Sequence, residues 1–459
     1  MENSESELVQ NADRRALAYL EGVNERRVFP DKAALDSLVA FDEPLPEAGK
    51  PAHETLALLD EVGSAATVST NGPRYFGFVV GAALPVAAAA ERLMLAWDNG
   101  AALPLTSPAC AAVEDIAAKW MLDILDLPRQ SAVGFGTSAT ACSLTCLAAA
   151  RHAMLLKAGW DSAENGLFGA PEIRVVVSEK VHVTILKALR ILGFGASRLL
   201  MAPVDEHGRI DPDRLPALDD KTIVCLQAGE VNTGEFDPFS SIIAKARNAG
   251  AWVHIDGAFG LWARTSPTLR HHTDGVEQAD SWTVDGHKWL NTPYDCAMAI
   301  CKDPAMLAAA MNSDAVYATG TSSAQKNLTL EFSRRARGVP VWAALRTLGR
   351  QGVAQMIDRH CAQATYLANA LREAGFDVLN RVVLNQVMVK GLTDDETRAI
   401  QATAHDSGEA WFGMSAWNGT PVFRLSLSSW RTTDADVTRL ANLLVSARQS
   451  FRLSSQGQD

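Results

Sequence analysis

Lys288 is the residue whose surroundings in this sequence favour chemistry most clearly. It lies in SWTVDGHKWLNTPYDC (residues 281–296), three residues after a predicted strand and between His287 and Trp289. An ammonium group is unfavourable to bury, so a lysine in apolar surroundings is usually paired or chemically active. Such a lysine can bind an aldehyde as a Schiff base. Taken alone, an exposed loop lysine is the commoner interpretation, so other residues must support the chemical one.

A carboxylate ends the preceding predicted strand. Asp256 is the last residue of AWVHID (residues 251–256), 32 residues before Lys288. Ligands of parallel α/β sheets bind beyond the carboxyl ends of strands, where both side chains would lie. Pyridoxal 5'-phosphate (PLP) needs this pair, because a lysine binds its aldehyde as an imine and a carboxylate keeps its pyridine nitrogen protonated. Alone, Asp256 would be interpreted as a helix N-cap.

A segment of small residues could bind the phosphate of such a cofactor. GFGTSATACS (residues 134–143) joins a predicted strand to a helix, and free N–H groups at a helix start attract anions. Ser138, Ala139 and Thr140 are the best candidates for this contact. The segment also matches the G-x-G-x-x-A dinucleotide fingerprint, but no acidic residue ends a second strand about 20 residues on, as that function requires.

Two further residues complete the candidate site. His182 opens a predicted helix in SEKVHVTILKALRILG (residues 178–193) and could stack on a flat cofactor ring. Tyr317 lies in the irregular segment DAVYATGTSS (residues 314–323), and a phenol on a closing loop can donate a proton. Alone, a histidine at a helix start is more often a cap, and a loop tyrosine carries little information.

Composition and charge exclude several other classes of protein. The 459-residue chain is 47% hydrophobic and 21% charged, with a formal net charge of -11. An acidic protein of this kind is a poor partner for nucleic acid or an anionic membrane surface. The polar N-terminus lacks the apolar core of a signal peptide, and no stretch approaches the ~20 apolar residues of a membrane span. We therefore expect a cytoplasmic protein.

The seven cysteines predict free thiols, not a disulfide framework. Their number is odd and they are scattered, as is typical of a reducing cytoplasm. Cys142 and Cys146, four apart on a predicted helix, could bind a metal. No second Cys or His pair accompanies them at a suitable spacing, so we interpret them as core residues and expect no metal site.

The order of predicted elements favours an α/β fold. An amphipathic helix at residues 5–27 and helices near 85–97 and 108–126 come first. Short apolar runs then occur at residues 132–135, 173–178, 197–203, 222–228, 251–256, 280–285 and 296–302. Because they lack alternation, they predict strands buried on both faces of a largely parallel sheet. Beyond them, helices at 340–374, 394–407 and 434–450 and strands at 384–390 and 422–428 predict a smaller second domain.

The segment DGHKWLNTPYDC resembles the N-P-H-K-W lysine motif of the group II PLP-dependent amino acid decarboxylases. That family includes the aromatic-L-amino-acid, histidine and glutamate decarboxylases. Further matches follow in the same order: YFGFV (75–79), SPACAAVEDIAAKW (107–120), GTSATACSLTCLAAAR (136–151), SEKVHVTILKALR (178–190), HIDGAFG (254–260) and RLSLSSWRTTDAD (424–436). The resemblance covers roughly residues 70–440.

This resemblance implies the PLP-dependent transferase fold of type I. A mostly parallel seven-stranded sheet belongs to a large PLP-binding domain at residues 71–340, with a catalytic loop region at 312–338. A small C-terminal α/β domain follows at 341–459. An N-terminal helical arm at 1–70 packs on the partner subunit of a homodimer, whose active sites lie at the subunit interface.

The resemblance also implies roles for the candidate residues. Lys288 matches the lysine that forms the aldimine with the cofactor, and Asp256 matches the partner of the pyridine nitrogen. His182 matches the histidine that stacks on the ring, and Tyr317 the loop tyrosine that protonates the substrate α-carbon. The remaining matches are His287, Ser138, Ala139 and Thr140, which resemble the phosphate contacts, and Ala258, which resembles the residue against the ring face.

Some positions depart from the family pattern. Asp285 replaces the asparagine of the lysine motif, which alters hydrogen bonding on the phosphate side of the cofactor. Glu230 and Val231 replace a threonine pair, and because the Val231 side chain cannot hydrogen-bond the cofactor, we expect Asn232 to do so.

The expected substrate pocket departs as well. Phe78, Val79 and Gly81 replace Tyr, Phe and Thr of the aromatic-acid branch. An aromatic L-amino acid is still the first expected substrate, because the motifs lie nearest that branch and Phe78 offers an apolar wall. An acidic or short polar amino acid stays open. The candidate side chains for binding the substrate carboxylate are Arg334, Arg335, Arg337 and Arg424.

Two alternatives to simple decarboxylation remain at this point. Relatives on the same scaffold use O2 to convert the substrate to an aldehyde, commonly where the loop tyrosine is replaced by Phe, so Tyr317 favours the amine. A non-catalytic homologue would be expected to lose the lysine, the aspartate or the stacking histidine. None of them is lost.

Overall fold

The seven apolar runs of the central region form the strands of one sheet, as predicted. The computed structural model of the protein describes residues 4–312 and 323–456. The strands are β1 Ala132–Gly136, β2 Arg174–Ser178, β3 Leu200–Ala202, β4 Thr222–Gln227, β5 Trp252–Asp256, β6 Ser281–Asp285 and β7 Ala297–Cys301. Their order in the sheet is β1-β7-β6-β5-β4-β2-β3.

The sheet is mostly parallel, which confirms the predicted fold class. β7 runs antiparallel to both of its neighbours, β1 and β6, whereas the other pairs are parallel. Every residue of β4, β5 and β6 is buried. Strands covered on both faces need apolar residues at each position, which explains why the sequence shows no alternation there.

Helices cover the sheet and make up most of the remaining regular structure. The described helices are α1 Glu5–Gly22, α2 Lys32–Ser37, α3 Ala52–Leu58, α4 Pro85–Trp97, α5 Pro108–Ile124, α6 Ala139–Lys157, α7 Ser162–Asn165, α8 Val183–Ile191, α9 Phe239–Ala249, α10 Pro304–Met311, α11 Gly338–Glu373, α12 Asp394–Ser407 and α13 Asp434–Gln456. α6 is long and apolar enough to cross a membrane, but 67% of its most apolar window is buried inside the protein. It is therefore a core helix, and Cys142 and Cys146 are buried within that core.

A second sheet lies in the C-terminal part of the chain. Its strands are β8 Asp377–Val378, β9 Gln386–Lys390, β10 Gly413–Trp417 and β11 Thr420–Ser426, and their order is β10-β11-β9-β8. β9 and β11 agree with predicted strands, whereas β8 and β10 were not predicted. β8 has only two residues, and no residue of β10 is buried. Neither strand therefore leaves an apolar run in the sequence.

The described residues divide into two compact units. The first contains those of Met1–Ala82, Tyr366–Leu379 and Met388–Asp459, and the second those of Ala83–Thr365 and Asn380–Val387. The domain boundaries expected from the sequence, after residues 70 and 340, stay predictions.

The N-terminal helix α1 leaves apolar side chains in water. It begins with a capping box, in which Ser4 Oγ accepts from Glu7 N at 3.3 Å and Glu7 Oε2 accepts from Ser4 N at 2.9 Å. None of its described residues is buried. Val9, Leu17 and Leu20 are 44%, 57% and 39% exposed. An amphipathic helix normally covers such a face, so this one is consistent with the expected packing on a partner.

Candidate active site

The turn after β6 presents Lys288. It passes through Gly286, where an added Cβ would lie 2.9 Å from Thr292 Oγ1 and 3.1 Å from Cys296 Sγ. A larger residue would not fit there, so the tight approach requires glycine. The Lys288 side chain is 23% exposed, and its Nζ lies 2.8 Å from Asp285 Oδ2. A carboxylate on the last residue of β6 therefore holds the ammonium group.

Asp285 is the most deeply buried charge of this site. Its side chain is 1% exposed, and among the described residues its Oδ1 has no hydrogen-bond partner. Its main chain is fixed by Trp262 Nε1, which donates to its carbonyl oxygen at 3.0 Å, and by Ala258 O, which accepts from its N–H at 2.9 Å. Sequence reasoning noted the departure from asparagine but missed the ion pair with Lys288. The spacing of three residues was the available signal.

His287 lies on the other side of the same turn. Its Nδ1 accepts a hydrogen bond from Cys296 N at 3.1 Å, which leaves Nε2 as the N–H donor. Burial lowers its pKa even though Asp285 is near, so the ring is neutral at pH 7. A neutral ring with its N–H at Nε2 is consistent with the predicted contact to a phosphate.

Tyr294 supports this ring and was missed in the sequence. Its ring stacks on His287 with centroids 4.4 Å apart. Burial raises the pKa of Tyr294 to about 12. It lies in the lysine motif itself, but seven residues after His287, and only the folded turn brings the two together.

Asp256 lies at the end of β5, as predicted. The register of the sheet places it beside Gln227 of β4 and Thr283 of β6. It is 7% exposed, and its Oδ1 accepts from Ala258 N at 3.2 Å. Asp256 and Lys288 therefore follow neighbouring strands at the same edge of the sheet, where a PLP site needs them.

His182 is held near the same edge of the sheet by a hydrogen bond to Gln227. His182 is the N-cap residue of α8, and its Nδ1 lies 2.7 Å from Thr184 Oγ1. Its backbone N donates to Gln227 Oε1 at 3.0 Å. Gln227 is 5% exposed and neighbours Asp256 in the register of the sheet, so its bond to His182 fixes the helix cap next to the strand that ends in Asp256. Sequence reasoning missed Gln227, although a polar residue ending an apolar strand was a signal.

The predicted phosphate cradle is the start of α6. Ser138 is the N-cap, and its Oγ accepts from Ala141 N at 3.3 Å. Ala139 is buried, and Ser143 of the same helix donates to Thr283 Oγ1 at 3.2 Å. This contact packs the first turns of α6 against β6. Thr140 belongs to the same first turn, and the N–H groups of such a turn attract anions.

The loop after β4 is closed by Glu230. Its buried carboxylate accepts hydrogen bonds from Asn232 N at 2.8 Å, Asn232 Nδ2 at 3.0 Å and Thr233 N at 2.7 Å. Part of the Asn232 amide is therefore engaged within the loop. Its contact with the cofactor stays a prediction.

The residues expected in the substrate pocket belong to the first compact unit. Phe78 is 61% exposed and has a φ of 51°, and Trp411 stacks on it with centroids 5.7 Å apart. Val79 and Gly81 are buried. Their part in substrate binding stays a prediction, and Tyr317 lies outside the described residues.

Three of the four arginines considered for the substrate carboxylate already have acidic partners. Arg334 is fully buried and binds both oxygens of Glu114 at 2.7 Å. Burial lowers the pKa of Arg334, but Glu114 outweighs it and the pKa is raised. Arg335 and Arg337 bind Asp295 at 2.8 and 3.0 Å. These three arginines therefore stabilise the fold around the lysine turn.

The side chains at this edge of the sheet fit PLP. Lys288 is a primary amine for its aldehyde, Asp256 a carboxylate for its ring nitrogen, and His182 a flat ring. The first turn of α6 offers N–H groups for its phosphate. Asp285 Oδ1, which has no hydrogen-bond partner in the part of the chain that the structure describes, adds a buried acceptor next to the amine.

Comparison with known proteins gives a consistent result. Residues 65–390 match the model of the pyridoxal-dependent decarboxylase conserved domain. Tryptophan decarboxylase 1 of Oryza sativa subsp. japonica is 28% identical over 367 residues, which cover 74% of this chain and 70% of that relative. A phenylacetaldehyde synthase of a Rosa hybrid cultivar is 24% identical over 385 residues, 76% of this chain and 74% of the relative.

Solved structures show that the fold is shared. Oryza sativa TDC with PLP and tryptamine superposes with a TM-score of 0.88 at 22% identity, covering 98% of this chain and 99% of that one. Mouse CSAD superposes with a TM-score of 0.88 at 19% identity, covering 96% and 98%.

Proposed function

The chain belongs to the pyridoxal-dependent decarboxylase family, and we propose that it removes the α-carboxylate of an L-amino acid, first expected to be aromatic. It is a PLP-dependent carboxy-lyase. The observation that carries the proposal is the placement of Lys288 and Asp256 beyond neighbouring strand ends, with Asp285 against the lysine at 2.8 Å. When bound, PLP supplies a protonated ring that accepts the electron pair left when CO2 departs.

The residues of this chain would hold the cofactor as follows. Lys288 would hold the aldehyde carbon, and Asp256 would keep a proton on the ring nitrogen. His182 and Ala258 would pack against the ring. His287 Nε2 and the first turn of α6 would bind the phosphate. We assign the return of a proton to the substrate α-carbon to Tyr317.

The names of the relatives support an aromatic substrate. Tryptophan, tyrosine and L-DOPA decarboxylases are among the curated proteins similar to this chain. Phenylacetaldehyde synthases are also similar, so formation of an aldehyde with O2 is the second candidate reaction. Tyr317 favours the amine. A substrate that is acidic or short and polar is the third candidate.

We also propose a cytoplasmic homodimer with active sites at the subunit interface. The exposed apolar side chains of α1, Val9, Leu17 and Leu20, support the dimer.

The test is product analysis with the purified holoenzyme. Each of the twenty amino acids is incubated separately, and CO2, amine, aldehyde and hydrogen peroxide are measured. We expect CO2 and amine in equal amounts from an aromatic amino acid, without peroxide. Lys288→Ala is the control and is expected to lose both the visible absorbance of the bound cofactor and CO2 release. Aldehyde with peroxide would favour the second candidate, and no CO2 from any amino acid would refute the proposal.

A further inference from the structure

A cavity of about 380 Å³ lies far from the lysine turn, near the beginning of β2. It is lined by the second half of α6, the segment that leads into β2 and the segment that follows α8. The candidate active site instead lies beyond the carboxyl ends of the strands. The apolar walls of the cavity are formed by Leu155, Leu167, Ile173, Val175, Phe194 and Leu199.

Arg151 of α6 places a cation in this cavity without an acidic partner. Its Nη1 donates to Leu192 O at 2.6 Å, and its buried Nε has no hydrogen-bond partner among the described residues. Within the same part of the chain, no carboxylate forms an ion pair with it. A guanidinium has five N–H donors, and within the described residues the bond to Leu192 O is the one that this guanidinium makes.

Comparison with Arg334 shows how unusual this is. Arg334 is buried more deeply than Arg151, but Glu114 binds it through two hydrogen bonds of 2.7 Å. Burial lowers the pKa of Arg151, and no acidic neighbour among residues 4–312 and 323–456 opposes that effect. A half-buried charge of this kind is unfavourable unless something pairs with it.

The other cation of the cavity is already neutralised. Arg198 binds Glu172 at 2.5 Å, and both side chains are more than half exposed. A ligand in the cavity therefore meets one uncompensated positive charge, carried by Arg151. A phosphate dianion would need a second, whereas a single carboxylate would not.

We propose that this cavity binds a small monocarboxylate with an apolar body, whose carboxylate pairs with Arg151. The apolar walls take the body of the ligand, and the guanidinium takes both carboxylate oxygens. The volume lies within the range of about 300–1,000 Å³ typical of small-molecule sites. The site is separate from the PLP site, so the proposal does not depend on the reaction that the protein catalyses.

Calorimetric titration of the holoenzyme tests the proposal, with hexanoate as the probe and hexanamide as its neutral counterpart. We expect one hexanoate per chain and at least about tenfold weaker binding of hexanamide, because a charge-assisted pair is lost. Arg151→Met is expected to weaken hexanoate binding by a similar factor. Ala170→Trp, which fills the cavity and keeps Arg151, is expected to abolish it.

A matched control removes a different arginine. Arg190 is an exposed residue of α8 that does not line the cavity, and Arg190→Met is expected to bind hexanoate as the unmodified protein does. Each variant is first shown to have native circular dichroism. The proposal is overturned if hexanoate does not bind, if hexanamide binds equally well, or if Ala170→Trp leaves binding unchanged.

Discussion

At the scale of single residues, Asp285 and Lys288 depend on each other. Asp285 is 1% exposed, and the ammonium of Lys288 lies 2.8 Å from its carboxylate. No hydrogen-bond donor among the described residues meets its second oxygen. A buried carboxylate that loses its cation destabilises a fold far more than an exposed one does. Lys288 therefore contributes to stability as well as to cofactor binding.

A double-mutant cycle on the cofactor-free protein measures this dependence. Lys288→Ala is expected to lower the free energy of unfolding by about 1–3 kcal/mol, a range reduced because Lys288 is partly exposed. Adding Asp285→Asn is expected to restore most of the loss, because the amide carries no charge. Urea unfolding of Lys288→Ala, Asp285→Asn and the double variant gives the three differences in free energy from the unmodified protein. If Lys288→Ala and the double variant lost equal free energy of unfolding, the proposed role of the ion pair would be contradicted.

Tyr317 decides between the two candidate reactions at the same scale. In Tyr317→Phe the α-carbon loses its proposed proton donor, so the electron pair that departing CO2 leaves would become available to O2. We expect the amine to fall at least about tenfold and an aldehyde to form with equimolar hydrogen peroxide. Peroxide assay and chromatography of the products measure both. A variant that still forms only amine at the original rate would show that another residue donates the proton.

Some of these residues could be found from the sequence and others could not. Lys288, Asp256 and His182 each follow a predicted strand, so their common edge could be inferred from strand order. A polar residue at the end of an apolar strand marks Gln227, but its partner could not be found, because the contact with His182 joins residues 45 apart in the chain. The stacking of Tyr294 on His287 depends on the shape of one turn, which no local pattern specifies.

At the scale of elements, burial decided what could be predicted. β4, β5 and β6 are completely buried, so each left an apolar run that bounds the strand to within a residue or two. β10 has no buried residue, and its pairing with β11 comes from backbone hydrogen bonds that any sequence can make. Strands at the edge of a small sheet are therefore poorly encoded in the pattern of apolar residues.

The burial of β5 predicts a pH dependence of stability. Burial lowers the pKa of His254 from 6.5 to about 3, and its Nδ1 lies 3.0 Å from Ser281 Oγ. Because the unfolded chain takes up the proton first, the contribution of His254 is complete above pH 6.5 and is lost as pH falls towards 3. The loss approaches about 1.4 kcal/mol per pH unit for one group.

The measurement compares this dependence in two proteins. The free energy of unfolding is determined at pH 6.5 and 5.0 for the unmodified chain and for His254→Phe. We expect the unmodified chain to lose more stability between the two pH values, by roughly 1–2 kcal/mol. Because each protein is compared with itself at the two pH values, the contact between His254 and Ser281 that the variant loses does not affect the result. The same loss in both would show that His254 is not the group responsible.

At the scale of the whole molecule, α1 has apolar side chains that remain exposed in a single chain. Its capping box stabilises the helix locally, yet none of its described residues is buried, and Leu17 is 57% exposed. A helix with a hydrogen-bonded cap and exposed apolar side chains is stabilised mainly by what packs on those side chains. A second copy of the chain is the partner we propose, since the active site is expected at the subunit interface.

Placing charges on that face tests the proposed dimer. Leu17→Glu combined with Leu20→Glu is expected to shift the protein from dimer to monomer at micromolar concentration, because two carboxylates would have to be buried on association. If the active sites lie at the interface, CO2 release falls with the dimer fraction. Sedimentation velocity and CO2 release are measured on the same samples. Arg14→Glu, an exposed polar position of the same helix, is the control and is expected to remain dimeric. A doubly charged variant that remains dimeric and active would show that α1 does not form the interface.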